Sequence, residues 1–135
     1  MLDHWAPSNW SQLDADDTDL GSTDPLFLPG GMVFQIGKAG VGYLLSASSL
    51  GGIGASPLFQ AQVCGQKSDA SFGGAVYYDG VIYVACSDGL RALLLNTSTH
   101  SFSALPGWQV HSGAIGPPIM SGGLVWVTGW NSATL

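Results

Sequence analysis

The sequence contains no glutamate and only three fixed cations, Lys38, Lys67 and Arg91. All nine acids are aspartate, the formal charge is −6, and charged residues make up 9% of the chain. An ordinary soluble domain carries about a quarter. Nucleic acid and anionic membrane surfaces both call for a basic footprint, so neither is expected as a partner. No apolar run reaches the roughly 18 residues of a transmembrane helix, so no membrane insertion is expected. Met1-Leu2-Asp3-His4 lacks the basic start and apolar stretch of a signal peptide. No segment sustains a 3.6-residue hydrophobic period. Aspartate without glutamate suits turns and caps better than helices. The 20 glycines and seven prolines point the same way, to an all-β, turn-rich chain. A surface so poor in charge fits a secreted, periplasmic or cell-surface protein, so the expected location is extracytoplasmic.

What is present is a repeat. Val76-Tyr77-Tyr78-Asp79-Gly80-Val81-Ile82-Tyr83-Val84-Ala85 is answered 43 residues later by Ile119-Met120-Ser121-Gly122-Gly123-Leu124-Val125-Trp126-Val127-Thr128. A looser copy precedes both, Leu26-Phe27-Leu28-Pro29-Gly30-Gly31-Met32-Val33-Phe34-Gln35-Ile36. Each copy is a short apolar strand, a glycine turn, and a longer apolar strand with a central aromatic. A period in the low forties with this content marks propeller blades of about four strands. The expected fold is a β-propeller segment of four-stranded antiparallel blades, incomplete at the C-terminus.

The first blade, residues 25–64, takes strands at Leu26–Leu28, Met32–Ile36, Tyr43–Ala47 and Leu58–Val63. The second, residues 73–110, takes Ala75–Tyr78, Val81–Ala85, Leu90–Leu95 and Phe102–Val110. The third, residues 117–135, holds Pro118–Met120, Leu124–Thr128 and the start of a strand near Leu135. Asp79-Gly80 is a strong two-residue hairpin signal. Val81–Ala85 and Leu124–Thr128 are apolar on both faces, as suits strands packed between blades. Leu44–Gly51 offers one short helical turn as an alternative to the end of the Tyr43–Ala47 strand. Residues 1–24 hold six of the nine acids and read as an extended or looped lead-in, with room for one strand of a neighbouring blade. A third blade short of strands leaves an apolar edge and face to be covered. The expected partners are the remainder of a larger propeller or copies of this chain, in a homo-oligomer or fibre.

These copies resemble the PQQ-like propeller repeats of bacterial quinoproteins and their non-catalytic relatives. The likeness rests on Val33-Phe34-Gln35-Ile36-Gly37-Lys38-Ala39-Gly40-Val41-Gly42-Tyr43-Leu44-Leu45 and on Tyr83-Val84-Ala85-Cys86-Ser87-Asp88-Gly89-Leu90-Arg91-Ala92-Leu93. It spans roughly residues 17–135. The family repeat commonly continues with Asp, Thr-Gly and a Trp that docks between blades. Here Leu94-Leu95-Asn96-Thr97-Ser98-Thr99 replaces the first part, and Trp108 is left to serve as the docking residue. Catalytic relatives use a Glu among their calcium ligands and often an adjacent cysteine pair near the quinone. This chain has neither, so PQQ and calcium are expected only where it forms part of a complete quinoprotein. The resemblance implies a non-catalytic scaffold, binding or assembly module; the alternative is a fragment of a PQQ-dependent dehydrogenase with its catalytic residues elsewhere.

Other candidates are few. Cys64 and Cys86 stand at the end of one blade and in the second strand of the next. They form either a disulfide between blades or two buried thiols. Phe34, Tyr83 and Trp126 occupy equivalent repeat positions and are assigned to packing between blades. Asp14-Ala15-Asp16-Asp17-Thr18-Asp19 offers oxygens for calcium but lacks the turn glycine and later bidentate Glu of an EF-hand, so a solvated acidic loop is the simpler reading. His4, His100 and His111 sit at no metal-ligand spacing. The glycine- and serine-rich stretch 46–54 matches neither a nucleophile elbow nor a phosphate loop. Trp130 falls near a rim, where a sugar-stacking role is open to it. Asn9-Trp10-Ser11 and Asn96-Thr97-Ser98 fit the glycosylation pattern.

Overall fold

A computed structural model describes residues 3–65, 68–110 and 116–129. Strands dominate it. In chain order they are β1 (Trp5–Ala6), β2 (Leu26–Leu28), β3 (Met32–Gln35), β4 (Val41–Ser46), β5 (Gly52–Ile53), β6 (Phe59–Gln62), β7 (Ala75–Tyr78), β8 (Val81–Cys86), β9 (Gly89–Asn96), β10 (Ser101–Val110), β11 (Ile119–Ser121) and β12 (Leu124–Trp126). Two four-stranded antiparallel sheets result, β2-β3-β4-β6 and β7-β8-β9-β10, followed by the hairpin β11-β12. The fold is all-β and consistent with a partial propeller. No closed barrel or full ring is formed by the described residues.

The turns explain the hairpins. Tyr78 pairs with Val81 across Asp79 (φ 45°) and Gly80 (φ 85°). Ser121 pairs with Leu124 across Gly122 (φ 60°) and Gly123 (φ 75°). Two successive positive φ values define the type I′ turn, whose twist matches that of the strands it joins. The first copy uses the longer loop Pro29-Gly30-Gly31 between Leu28 and Met32. In all three, the central aromatic is the third residue after the turn, and it faces the third residue before it: Phe34 opposite Leu26, Tyr83 opposite Val76, Trp126 opposite Ile119.

Alternation along the strands then gives each sheet two faces. Phe34, Met32, Ile36 and Leu44 of the first sheet share one core with Ile82, Val84, Leu93, Leu95 and Phe102 of the second. Phe34 is 1% exposed and meets Phe102 edge-on at 5.6 Å; Phe59 meets the same ring at 4.9 Å. Tyr83 lies between Ile82 and Val84, so it points away from the first sheet. The equivalent residues Phe34 and Tyr83 therefore both point toward the C-terminal neighbour. The sheets stack by translation, forward face onto back face, and not by a two-fold turn. The first strands follow the same sequence in space, β2 beside β7 and β7 beside β11.

Three local readings change. Leu44–Ser46 is not helical: β4 is bonded to β3 on one side and β6 on the other, which satisfies its backbone as strand. The lead-in holds a helix, α1 (Trp10–Ala15), and a 3-10 turn at Leu20–Ser22. The helix has no buried residue, so it carries no apolar period by which to be recognised. The lead-in strand β1 pairs in parallel with β5, Trp5 opposite Gly52, a pair too short to show in composition. The third-blade strand proposed near Leu135 lies outside the described residues.

Candidate functional site

The disulfide and the lead-ins hold the stack together. Cys64, just after β6, and Cys86, at the end of β8, are bonded, with Cα atoms 5.5 Å apart and both side chains buried. Of the two sequence readings, the disulfide is the one present. It joins the end of the first sheet to the second strand of the next. Bonds of this kind persist in oxidising compartments. No described helix is long and apolar enough to cross a membrane.

Each unit also anchors its own lead-in at the end of its second strand. The Thr23 hydroxyl donates to the carbonyl of Ile36. The buried Ser71 hydroxyl donates to the carbonyl of Ala85 at 2.8 Å. In the third copy the backbone N–H of Gly116 donates to the carbonyl of Thr128 at 3.2 Å. Ile36, Ala85 and Thr128 occupy the same position, the fifth residue of the second-strand segment in each repeat. Successive lead-ins touch: Thr23 bridges Gly73 in parallel, and a Cβ on Gly73 would stand 2.9 Å from Pro117. The buried amide of Gln35 adds bonds to the carbonyls of Leu20 and Ile36 at 2.9 and 2.8 Å. Sequence reading missed this set, because hydroxyl residues ahead of a strand are common and the bond partner lies about 13 residues on.

Two close approaches depend on glycine. A methyl on Gly42 would meet a ring carbon of Phe34 and a methyl of Val63, each at 2.9 Å, and Phe102 at 3.1 Å. A methyl on Gly37 would stand 2.5 Å from the carbonyl oxygen of Asp19. Gly42 thus makes room for the aromatic contact between the sheets, and Gly37 for the lead-in.

The residues assigned to packing between blades have different surroundings. Phe34 is sealed between the two sheets. Trp108 reaches Tyr83 at 5.4 Å, ring edge to ring. It does so because Pro106 lacks an N–H for the ladder and the register of β10 shifts between Ala104 and Gln109, with Gly107 at φ 72°. Among the described residues no sheet lies over Trp126: it is 38% exposed, and its indole N–H donates to the carbonyl of Ser121 at 3.1 Å. Burial in its hairpin still alternates. Met120 and Val125, on the face toward the second sheet, are partly buried. Ile119, Leu124 and Trp126, on the forward face, are 61%, 59% and 38% exposed. At the other end of the stack Phe27, on the back face of the first sheet, is 76% exposed. It edges an apolar cavity of about 370 Å³ formed with Val33, Leu45, Leu50, Leu20 and Trp5.

Trp5 divides that back face. On its other side, toward the edge strand β6, a second cavity of about 670 Å³ is lined by Tyr43, Gln60, Ser56 and the start of the helical segment at Ser8 and Asn9. The Trp5 indole N–H donates to Ala55 at 2.7 Å, and its ring lies 4.9 Å from that of Tyr43. Burial pushes the Tyr43 phenol up from its ordinary pKa.

The acidic lead-in is a clamp. Lys38 reaches Asp17 and Asp19 at 2.9 Å each. The ammonium holds the Asp17 carboxyl below its usual range, and the two carboxylates raise Lys38. Asp3 accepts from the N–H of Leu50 at 2.6 Å and is also lowered by that bond. Among the described residues no group of three or more His, Cys, Asp or Glu is placed to hold a metal ion. His4 and His100 are exposed and far apart in sequence; His111 and Trp130 lie outside the described residues. Asn96 accepts from the N–H groups of Ser98 and Thr99 at 3.0 Å in an exposed turn, and Asn9 begins α1.

No protein-family model matches this chain, and no curated protein matches it.

Proposed function

We propose that the chain is a non-catalytic, extracytoplasmic propeller segment that acts as a scaffold or assembly module, its sheets stacking forward face onto back face. The observation that carries this reading is the gradient in one repeat position. Phe34 is 1% exposed where a sheet follows it, and Trp126 is 38% exposed where none does among the described residues. The equivalence of the three copies supports a like sheet as the partner of each end of the stack. Phe27, Val33 and Leu45 correspond to Tyr77, Ile82 and Leu93, which sit under the forward face of the first sheet. Val33 and Leu45 are themselves buried beneath Trp5, Leu20 and Leu50 of the same chain, so what the back face leaves for a preceding sheet of the same kind is Phe27 and the cavity it edges. The resemblance to PQQ-like repeats supports the same geometry, and the disulfide supports the compartment.

Light scattering on the purified chain over a range of concentrations tests this. Association into a larger species is expected, reversed by Phe27→Glu or by Leu124→Glu, since each face is needed once per contact. A mass that stays at one chain at every concentration would remove assembly as the function.

A further inference from the structure

The cleft between Trp5 and the edge strand β6 has features that stacking does not use. Its aromatic floor is fixed on several sides. Trp5 is held by its pairing with Gly52, by the indole bond to Ala55 and by the ring of Tyr43. Tyr43 pairs with Gln60 across the sheet, so both side chains stand on the same face. Gly51, Gly52 and Gly54, at φ 87°, 84° and 79°, bend the opposite wall. The lining contains no charged side chain. Its polar groups are amides and hydroxyls, and the side chains of Asn9, Ser56 and Gln60 form no hydrogen bond to the described residues. Asn9 starts a helix without capping it.

The open face of an aromatic ring held in place binds a flat apolar surface. A rim of neutral donors and acceptors binds hydroxyls, and the absence of charge leaves an ionic ligand uncompensated. A pyranose ring has this pair of surfaces: an apolar C–H face and a girdle of hydroxyls. The cavity volume of about 670 Å³ lies in the range of small-molecule sites, roughly 300–1,000 Å³.

We infer that this cleft binds a neutral saccharide, with a sugar ring packed on Trp5, which the buried Tyr43 ring holds from the side, and its hydroxyls met by Asn9, Ser56 and Gln60. The cleft lies on the β6 side of Trp5, whereas the stacking cavity lies on the β2–β3 side. Both lie on the back face of the first sheet, so a sheet stacked over that whole face would cover the cleft, and the inference concerns the unassembled chain.

Saturation-transfer NMR and titration calorimetry with maltohexaose, cellohexaose and chitohexaose test it, with tri-galacturonate as the anionic control. At least one neutral probe is expected to bind, and the control is not. Trp5→Ala is expected to weaken binding by tenfold or more. Because Trp5 also covers part of the back face, the double variant Asn9→Ala/Gln60→Ala supplies the decision if Trp5→Ala does not fold. Both positions are exposed, so this variant should keep the parent melting temperature and still bind several-fold more weakly. Failure of all three neutral probes, or undiminished binding by the double variant, overturns the inference.

Discussion

Phe34 and Trp126 hold the same place in the same repeat, yet one is buried and the other is not. Both are large aromatics at the third position after a glycine turn. The difference lies in what comes next. Phe34 is followed by a four-stranded sheet tied on by a disulfide, while the forward face of β11-β12 meets no further sheet among the described residues. In a stacked repeat, burial is a property of the neighbour more than of the residue, as expected when each unit contacts only those beside it.

The sharpest way to break that comparison is to remove both rings. Phe34→Ala should cost ~3–5 kcal/mol by emptying the core between the sheets. Trp126→Ala should fall within about 0.5 kcal/mol. Urea unfolding followed by circular dichroism reads both, and equal losses would refute the stacking assignment. Next comes the covalent tie. Cys64→Ser/Cys86→Ser should cost ~3 kcal/mol through loss of a loop constraint of about 22 residues. That corresponds to a melting temperature lower by roughly 10 °C, and a scan of the parent with reductant should reproduce it. An unchanged melting point in both experiments would mean that the bond constrains nothing.

Gly42→Ala is a subtler probe of the same interface. The added methyl meets Phe34, Val63 and Phe102, and overpacking should cost ~1–3 kcal/mol. Gly74→Ala serves as its control: no atom lies within 4 Å of the added methyl, and the backbone there is not in the positive-φ region. A Gly42→Ala protein as stable as the parent would show that the rings have more room than the structure gives them.

The smallest effect concerns the lead-in clamp. Asp17 has a lowered pKa in the folded chain, so its contribution is present above the ordinary carboxylate range and disappears as pH falls through the lowered value. Lys38 has a raised pKa, so its contribution is present below the ordinary lysine range and is lost only as pH rises through the raised one. The clamp is therefore closed at neutral pH and opens in acid, as the pH falls through the lowered Asp17 value. Amide exchange, corrected for its intrinsic pH dependence, should show reduced protection near Leu20 in acid. Lys38→Met should show that reduction already at pH 7. The same protection in parent and variant would leave the clamp without a role.

Much of this architecture was legible beforehand. The two-residue turns Asp79-Gly80 and Gly122-Gly123 are local chemistry, and they specify their hairpins. The apolar strands that follow them, read as covered on both faces, were equally plain, and the cysteine pair was read as a disulfide with two buried thiols as the alternative. Other features were not legible. Leu44–Ser46 carried two readings, a strand, which is present, and a helical turn, which is not, because a short apolar run fits either until its partners are known. The helix Trp10–Ala15 has no buried face, and β1 and β5 are two residues each. The cleft depends on Trp5 and Tyr43, which are 38 residues apart in sequence and meet only because the lead-in folds back over β4.

By itself, then, the sequence determined the all-β class, the repeat, the turn types and which residues in each copy are equivalent. Those follow from steric preferences of a few adjacent residues. The tertiary structure alone decided which equivalent residue is covered, whether the two cysteines are in reach of each other, and where aromatic and amide side chains converge. Each of those depends on how one sheet lies against another, and contacts between distant segments leave no mark on local composition.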